Sequence, residues 1–252
     1  VYCDLKELEL SDQLGNESIA LTRKFDAENG EELSRTLFSR ATTLCKAGRF
    51  DEAKVYADES IQVLIKKNGD KDWRLGRNLS LLAEIESARN RLDLALIHQR
   101  NALELITPRF GLNHPTVTQA QQKLAETLCI LATGTSNPIA TTQIKDAAKL
   151  YEAIENAQFA VDGRRHEGNF PRNLGVSLAL LSKLIELKGD IETSIILESQ
   201  IIALLRERAP QAGEEIANAQ IRLAELQAMQ AAQKIPALAP TLAPAPAPAK
   251  TP

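Results

Sequence analysis

The chain has 252 residues, 44% of them hydrophobic and 25% charged, with 30 basic and 33 acidic side chains and a net charge of −3. That balance predicts a soluble globular protein of one or two domains and argues against a nucleic-acid binder, which needs a basic face to displace counterions from phosphates. Aromatic residues make up only 4%, so a base-stacking platform is disfavoured and a core has to be built from Leu, Ile and Ala, a composition that suits helices better than a β-sandwich.

No run approaches the eighteen or so apolar residues that cross a bilayer, and no signal peptide is recognisable. Val1 opens the sequence where a Met would be expected, which predicts a trimmed N-terminus and leaves cytoplasm and periplasm both open. Cys3, Cys45 and Cys129 lack any paired spacing. Such an odd, scattered set reads as buried or free thiols, not as a disulfide framework or a zinc site.

In chain order, residues 1–31 contain LKELEL and IALTRKF, half-amphipathic pieces that predict one or two capping helices. Apolar residues at three-four spacing then predict helices over 32–47, 51–67, 73–89, 92–106, 115–132, 143–161, 172–188, 191–208 and 212–233. Two polar stretches, ATGTSNPIATTQ near 132–143 and DGRRHEGNFP near 162–171, read as loops inserted between them. From Ile235 onward, IPALAPTLAPAPAPAKTP is too rich in proline for helix and predicts an extended polyproline rod or a disordered tail at 235–252, available as a strap for a partner.

The helices carry a repeat. In KAGRFDEAKVYADESI a first helix ends at Gly48, Phe50 packs in the turn, and Asp51 is placed to cap a second helix bearing the small residues Ala53 and Ala57. ARNRLDLALIHQRNAL repeats this with Leu92, Asp93, Ala95 and Ala102, and ELKGDIETSIILESQII repeats it with Gly189, Ile191 and Ser194. Large-small pairs mark the first helices: Leu82-Ala83 and Leu124-Ala125 are forty-two residues apart, as are Leu181-Ser182 and Leu223-Ala224, and as are Ala53 and Ala95. The longer gap between Leu124 and Leu181 accommodates the two insertions.

Leu79, Leu82 and Ala83, followed by Ala95 and by Pro108 after the second helix, resemble the tetratricopeptide signature. The forty-two-residue period and the linker FGLNHP, Phe110 to Pro115, are similar to the kinesin-light-chain type of that family, in which Gly-x-x-His-Pro precedes each new helix. Arg40 departs from the pattern by standing where a Leu is expected. The resemblance implies an all-α fold, a right-handed α-solenoid of antiparallel helix pairs: capping helices in 1–31, about four repeats and a final capping helix in 32–234, and the tail beyond.

A stack of this kind presents a concave face lined by its first helices. The repeat register places Arg35, Phe38, Thr42, Arg77, Ser80 and Glu84 there in the first two units, and Gln119, Gln122, Glu126, Ala179, Lys183 and Glu186 in the next two. Thr42 and Glu84 stand where a carboxylate clamp of the family would want Asn, which argues against a receptor for chaperone tails. Arg164, Arg165 and Arg172, with His166 and Phe170, form a basic cluster in the second insertion, suited to an acidic partner.

Chemistry has little to stand on. His98, His114 and His166 have no partner at metal-ligand spacing, no phosphate loop or nucleophile elbow occurs, and Glu84 and Glu86 lie two apart on a helix, facing different ways. The sequence therefore reads as a non-catalytic scaffold or adaptor without cofactor, binding a protein or peptide through groove, inserted loops and tail. Two alternatives remain: a permanent structural accessory subunit of a large assembly, membrane-associated or not, and a regulatory domain that senses a peptide or small ligand.

Overall fold

The computed structural model describes residues 5–25, 30–135, 143–167 and 171–234. Among these the chain forms ten helices and no strand: α1 Leu5–Phe25, α2 Glu31–Lys46, α3 Phe50–Asn68, α4 Leu75–Ala88, α5 Leu92–Phe110, α6 Pro115–Thr133, α7 Ala147–Glu167, α8 Pro171–Lys188, α9 Ile191–Arg208 and α10 Gly213–Lys234. Cys3 and the proline-rich segment 235–252 lie outside the described residues.

Each helix packs on the next one in sequence, so α2/α3, α4/α5, α6/α7 and α8/α9 are antiparallel hairpins joined side by side. Contacts that skip a helix run from α2 to α4 and from α6 to α8, which puts the first helices of successive pairs on one face. The chain is thus an α-solenoid.

The repeat is visible in backbone geometry. The left-handed residues Gly48, Asn90 and Gly189 end the first helices of three pairs at φ 77°, 58° and 96°. In each turn the next amide reaches back to the helix, Arg49 to Leu44, Arg91 to Glu86 and Asp190 to Ile185, at 2.9, 2.8 and 3.1 Å. This six-to-one bond closes orphan carbonyls and starts the return helix at a fixed angle. Arg49 and Arg91, rather than Asp51 and Asp93, occupy the cap positions of α3 and α5; the two aspartates sit in the first turns, where they complement the helix dipole. Asp190 does cap α9, accepting from the Thr193 amide at 3.0 Å.

Small residues fill the crossing points. Ala53, Ala95 and Ser194 have no exposed surface, and neither do Ala153, Ala157 and Ala160 on α7. Leu37, Leu44, Ile85, Leu128, Leu184 and Leu226 are large, fully buried side chains spread along the stack, and the buried residues gather into one cluster over α2–α4, a larger one from α5 to α10, and a small one of Ile106, Val117 and Ala120 between them.

Two expectations shift, and the N-terminal one narrows. The helix α5 runs to Phe110 with Pro108 inside its last turn; that proline is exposed and costs only one bond near the end of the helix. The helix α7 continues through Glu167 instead of opening into a loop at Asp162. Gly163, which read as a loop signal, serves close packing: a Cβ there would lie 2.0 Å from Cγ2 of Thr118 on α6. Residues 168–170 lie outside the described residues. The N-terminal region forms one helix, α1, within 5–25.

Arg40, the departure from the repeat pattern, is buried and held by α1. Its Nη2 donates to Asp12 Oδ1 at 2.5 Å, and Arg49 Nη1 donates to the same carboxylate at 2.7 Å. Those bonds, first from Arg49 and then from Arg40, hold Asp12 below the ordinary carboxylate range. The residue that breaks the repeat is thus one of those that attach α1 to the first helix pair.

Cys45 and Cys129 are free thiols. Burial pushes Cys129 up to about 11, which makes it unreactive at neutral pH, and raises Cys45 as well, helped by Glu84. Among the described residues no helix is long and apolar enough to cross a membrane.

Candidate functional site

The first three first-helices, α2, α4 and α6, border a cavity of about 510 Å³. Phe38 and Thr42 of α2, Arg77, Ser80 and Glu84 of α4, and Gln119 of α6 line it. Their spacing follows from the helix: residues three and four apart share a face, so each helix offers side chains to the same strip. Leu81, Ile106 and Ala120 contribute apolar surface, and Gln99 and Lys123 add polar groups.

Charge and aromatic faces meet in this groove. The Arg77 guanidinium carbon is 4.3 Å from the Phe38 ring centroid, a stacking that holds the cation over the groove without neutralising it. Glu84 is exposed. Lys123 pairs with Glu126 at 3.0 Å. The strip therefore presents both signs of charge beside an apolar floor.

One end of the groove carries an aromatic cluster that repeat logic did not indicate. Trp73 and Phe110 both line the cavity, with ring centroids 5.2 Å apart and planes at 89°. Phe110 in turn stacks on His114 at 4.5 Å. Arg74 and Arg109 flank the indole, 5.6 and 5.9 Å from its centroid. His114 is fixed because its Nδ1 accepts from the Thr116 amide at 3.2 Å, capping α6 ahead of Pro115. The available signal was the single tryptophan of the chain, placed just before a helix start.

The remaining site residues lie elsewhere. Arg35 pairs with Glu32 at 3.0 Å and borders a separate cavity between α1 and α2. Gln122 is buried: its Oε1 accepts from Ser177 Oγ at 2.9 Å and its Nε2 donates to Glu126 at 2.8 Å. Lys183 and Glu186 are buried under α10, 3.2 Å from each other, with Arg222 of α10 on Glu186. Burial and the charge of Arg222 lower Lys183 below the ordinary lysine range. Ala179 remains exposed and lines a cavity of about 360 Å³ between α8, α9 and α10.

The basic cluster is divided as well. Arg164 donates to the Asn173 carbonyl and to Ser177 Oγ, both at 2.6 Å, so it ties α7 to α8. Arg165 lies 3.4 Å from Asp162 and Arg172 lies 3.3 Å from Glu215. Both are exposed, as is His166; Phe170 lies outside the described residues. Glu84 and Glu86 do part company: Glu86 is buried, 3.1 Å from Arg89 and 3.5 Å from Lys54.

A stack of tetratricopeptide-like helix pairs with a lined groove is the class of protein these features define. Solved structures agree on the fold. BtubC (BKLC) from P. vanneervenii superposes with a TM-score of 0.65 over 97% of this chain and 99% of its own, at 15% identity. A Podosopora anserina protein described as a putative kinesin light chain with nearly identical TPR-like repeats matches with a TM-score of 0.58 over 82% of this chain and 99% of its own, at 17% identity. A variant of that Podosopora anserina protein matches with a TM-score of 0.57 over 79% of this chain and 95% of its own, also at 17% identity. No family model matches the sequence, and no curated protein matches it. At such identities the likeness speaks for the fold alone.

Proposed function

We propose that this chain is a non-catalytic interaction scaffold that holds an extended segment of a partner protein in the groove across α2, α4 and α6. The observation that carries the reading is the convergence of Phe38, Thr42, Arg77, Ser80, Glu84 and Gln119, from three helices, on one cavity that the Trp73 and Phe110 rings also line. Mixed charge over an apolar floor fits a peptide whose backbone is extended and whose side chains alternate in polarity. Solved structures of the same fold support the class of activity, since tetratricopeptide-like stacks generally bind proteins. The segment 235–252 belongs to the proposal as a second point of attachment for the partner.

Selection from a random peptide library on the intact chain tests this. Enriched peptides are expected to compete with one another and to lose at least about tenfold in affinity on Trp73→Ala and on Arg77→Glu. A library that yields no binder, or binders indifferent to both substitutions, overturns the groove reading. Pull-down from native extract with and without residues 235–252 tests the second attachment.

A permanent structural subunit is the second reading, favoured by one observation. Val55, Ile97 and Ile196 occupy the same repeat position on α3, α5 and α9 and are 64%, 52% and 51% exposed. An apolar row on the outer face suits burial against a neighbour. Stoichiometric subunits that stay with the native chain through purification in high salt would favour it.

A further inference from the structure

The cavity of about 360 Å³ between α8, α9 and α10 has a buried floor and an open mouth. Gly175 of α8, Ile201 and Leu205 of α9 and Ala219 of α10 are buried along it, while Val176 and Ala179 of α8 are exposed at its rim. Two residues of its wall are unfavourable choices for the fold alone. Gly175 lies inside a helix, where alanine is more stable. At Gly76 and Gly163 close packing requires the glycine, since a Cβ would lie 2.3 and 2.0 Å from a neighbouring side chain. At Gly175 a Cβ would meet nothing closer than Cδ2 of Leu205 at 3.6 Å, an ordinary contact, so the missing side chain leaves room in the cavity. Glu198 is the second such residue. It lines the same cavity and is only 4% exposed. Burial holds its carboxyl above the ordinary range, against a hydrogen bond from Ser182, and among the described residues no cation pairs with it. A carboxyl buried in this way destabilises a fold unless a partner joins it. The cations that share the lining are engaged elsewhere: Lys183 lies 3.2 Å from Glu186, Arg222 lies on Glu186 and 2.9 Å from Glu225, and Arg172 lies 3.3 Å from Glu215.

We propose that this cavity binds a small organic ammonium ion, with its charged head on the Glu198 carboxylate and its apolar body lying along α9 toward Gly175. Charge complementarity selects the head. Of the two carboxylates in the lining, Glu215 has Arg172 and Glu198 has no cation. A ligand ammonium supplies one, and a charge-assisted hydrogen bond in a buried wall is stronger than the same bond in water. The body follows from the helix. Ile201 and Leu205 stand three and seven residues after Glu198, on the same face of α9, and Leu205 is the side chain nearest the space at Gly175. The stretch of helix from Glu198 to Leu205 spans about 10 Å, so a short apolar body reaches from the carboxylate to that space. An anionic head is a poorer occupant, because each lining cation already holds a carboxylate and the newcomer would face Glu198. The site is separate from the groove across α2, α4 and α6 and stands without that reading.

Isothermal titration calorimetry of the intact chain with hexylamine, hexanol and hexanoate tests this. Hexylamine is expected to bind saturably at a single site, at least about tenfold more tightly than hexanol or hexanoate. Glu198→Gln keeps the shape of the side chain without its charge. It is expected to abolish the preference for the amine while helical circular dichroism stays unchanged. Gly175→Leu fills the far end of the cavity and is expected to weaken hexylamine by about tenfold, a readout that does not depend on how the Glu198 variant folds. No saturable binding of hexylamine, equal binding of hexanol, or a preference for hexanoate overturns the proposal. So does a folded Glu198→Gln chain that keeps the preference, or a Gly175→Leu chain with wild-type affinity.

Discussion

Arg77 of α4 lies over the ring of Phe38 on α2, with its guanidinium carbon 4.3 Å from the ring centroid. The contact crosses from the first helix pair to the second and forms part of the groove wall, so it couples the stacking of the repeats to the chemistry of the surface they make. A double-mutant cycle with Arg77→Gln and Phe38→Leu is expected to give a coupling of about 0.5–1 kcal/mol, measured by urea unfolding. Additive effects would mean that the ring and the cation do not interact.

The small residues at the hairpin crossings tolerate no enlargement. Ala53 and Ala95 have no exposed surface, and Arg at either site would have to displace a neighbouring helix or bury a charge. Each of Ala53→Arg and Ala95→Arg is expected to destabilise by about 1–3 kcal/mol or more. Thermal melts followed by circular dichroism that match wild type would refute the register of the stack.

Gly163 makes the same point within the α6/α7 pair. With a Cβ placed 2.0 Å from Thr118 Cγ2, Gly163→Ala requires the end of α7 to move off α6, at a cost of about 1–3 kcal/mol. Thr118→Ser removes the offending methyl and is expected to recover part of the loss. Chemical denaturation of the two single variants and the double variant checks this.

Acid should release the N-terminal helix first. Asp12 is held below its ordinary value of 3.8 by Arg49 and Arg40. A depressed carboxylate contributes its full stability above the ordinary value and loses it as pH falls through the depressed one. Docking of α1 is therefore expected to hold at neutral pH and to weaken below about pH 4. Hydrogen exchange of α1 amides along a pH series reads it, and Asp12→Asn is expected to show the weakened state already at neutral pH. An Asp12→Asn chain with wild-type protection of α1 would overturn the assignment.

How much was legible in the sequence varies with the range of the interaction. The hairpin turns were readable because the cause is local: a left-handed residue after the first helix and a small residue five positions later recur from pair to pair. Phe38, Thr42, Arg77, Ser80, Glu84 and Gln119 were readable for the same reason, since helical periodicity fixes which residues share a face. Gln122, Lys183 and Glu186 share that periodicity and are nevertheless buried, because Ser177 of α8 and Arg222 of α10 reach over them. Whether a first-helix face is open depends on its neighbour, and the residues that close it lie far away along the chain.

The sequence by itself determined the all-helical stack, its period and the strip of residues facing one side, because each rests on contacts within a turn or a hairpin. Only the tertiary structure decided that Arg40 belongs to α1, that Arg164 is a tie between helices, that Trp73 and Phe110 meet at the end of the groove, and that Leu10, Leu14, Leu21 and Phe25 face outward. Those outcomes depend on which side chains distant helices bring together, and packing between helices, unlike periodicity within one, leaves no regular trace along the chain.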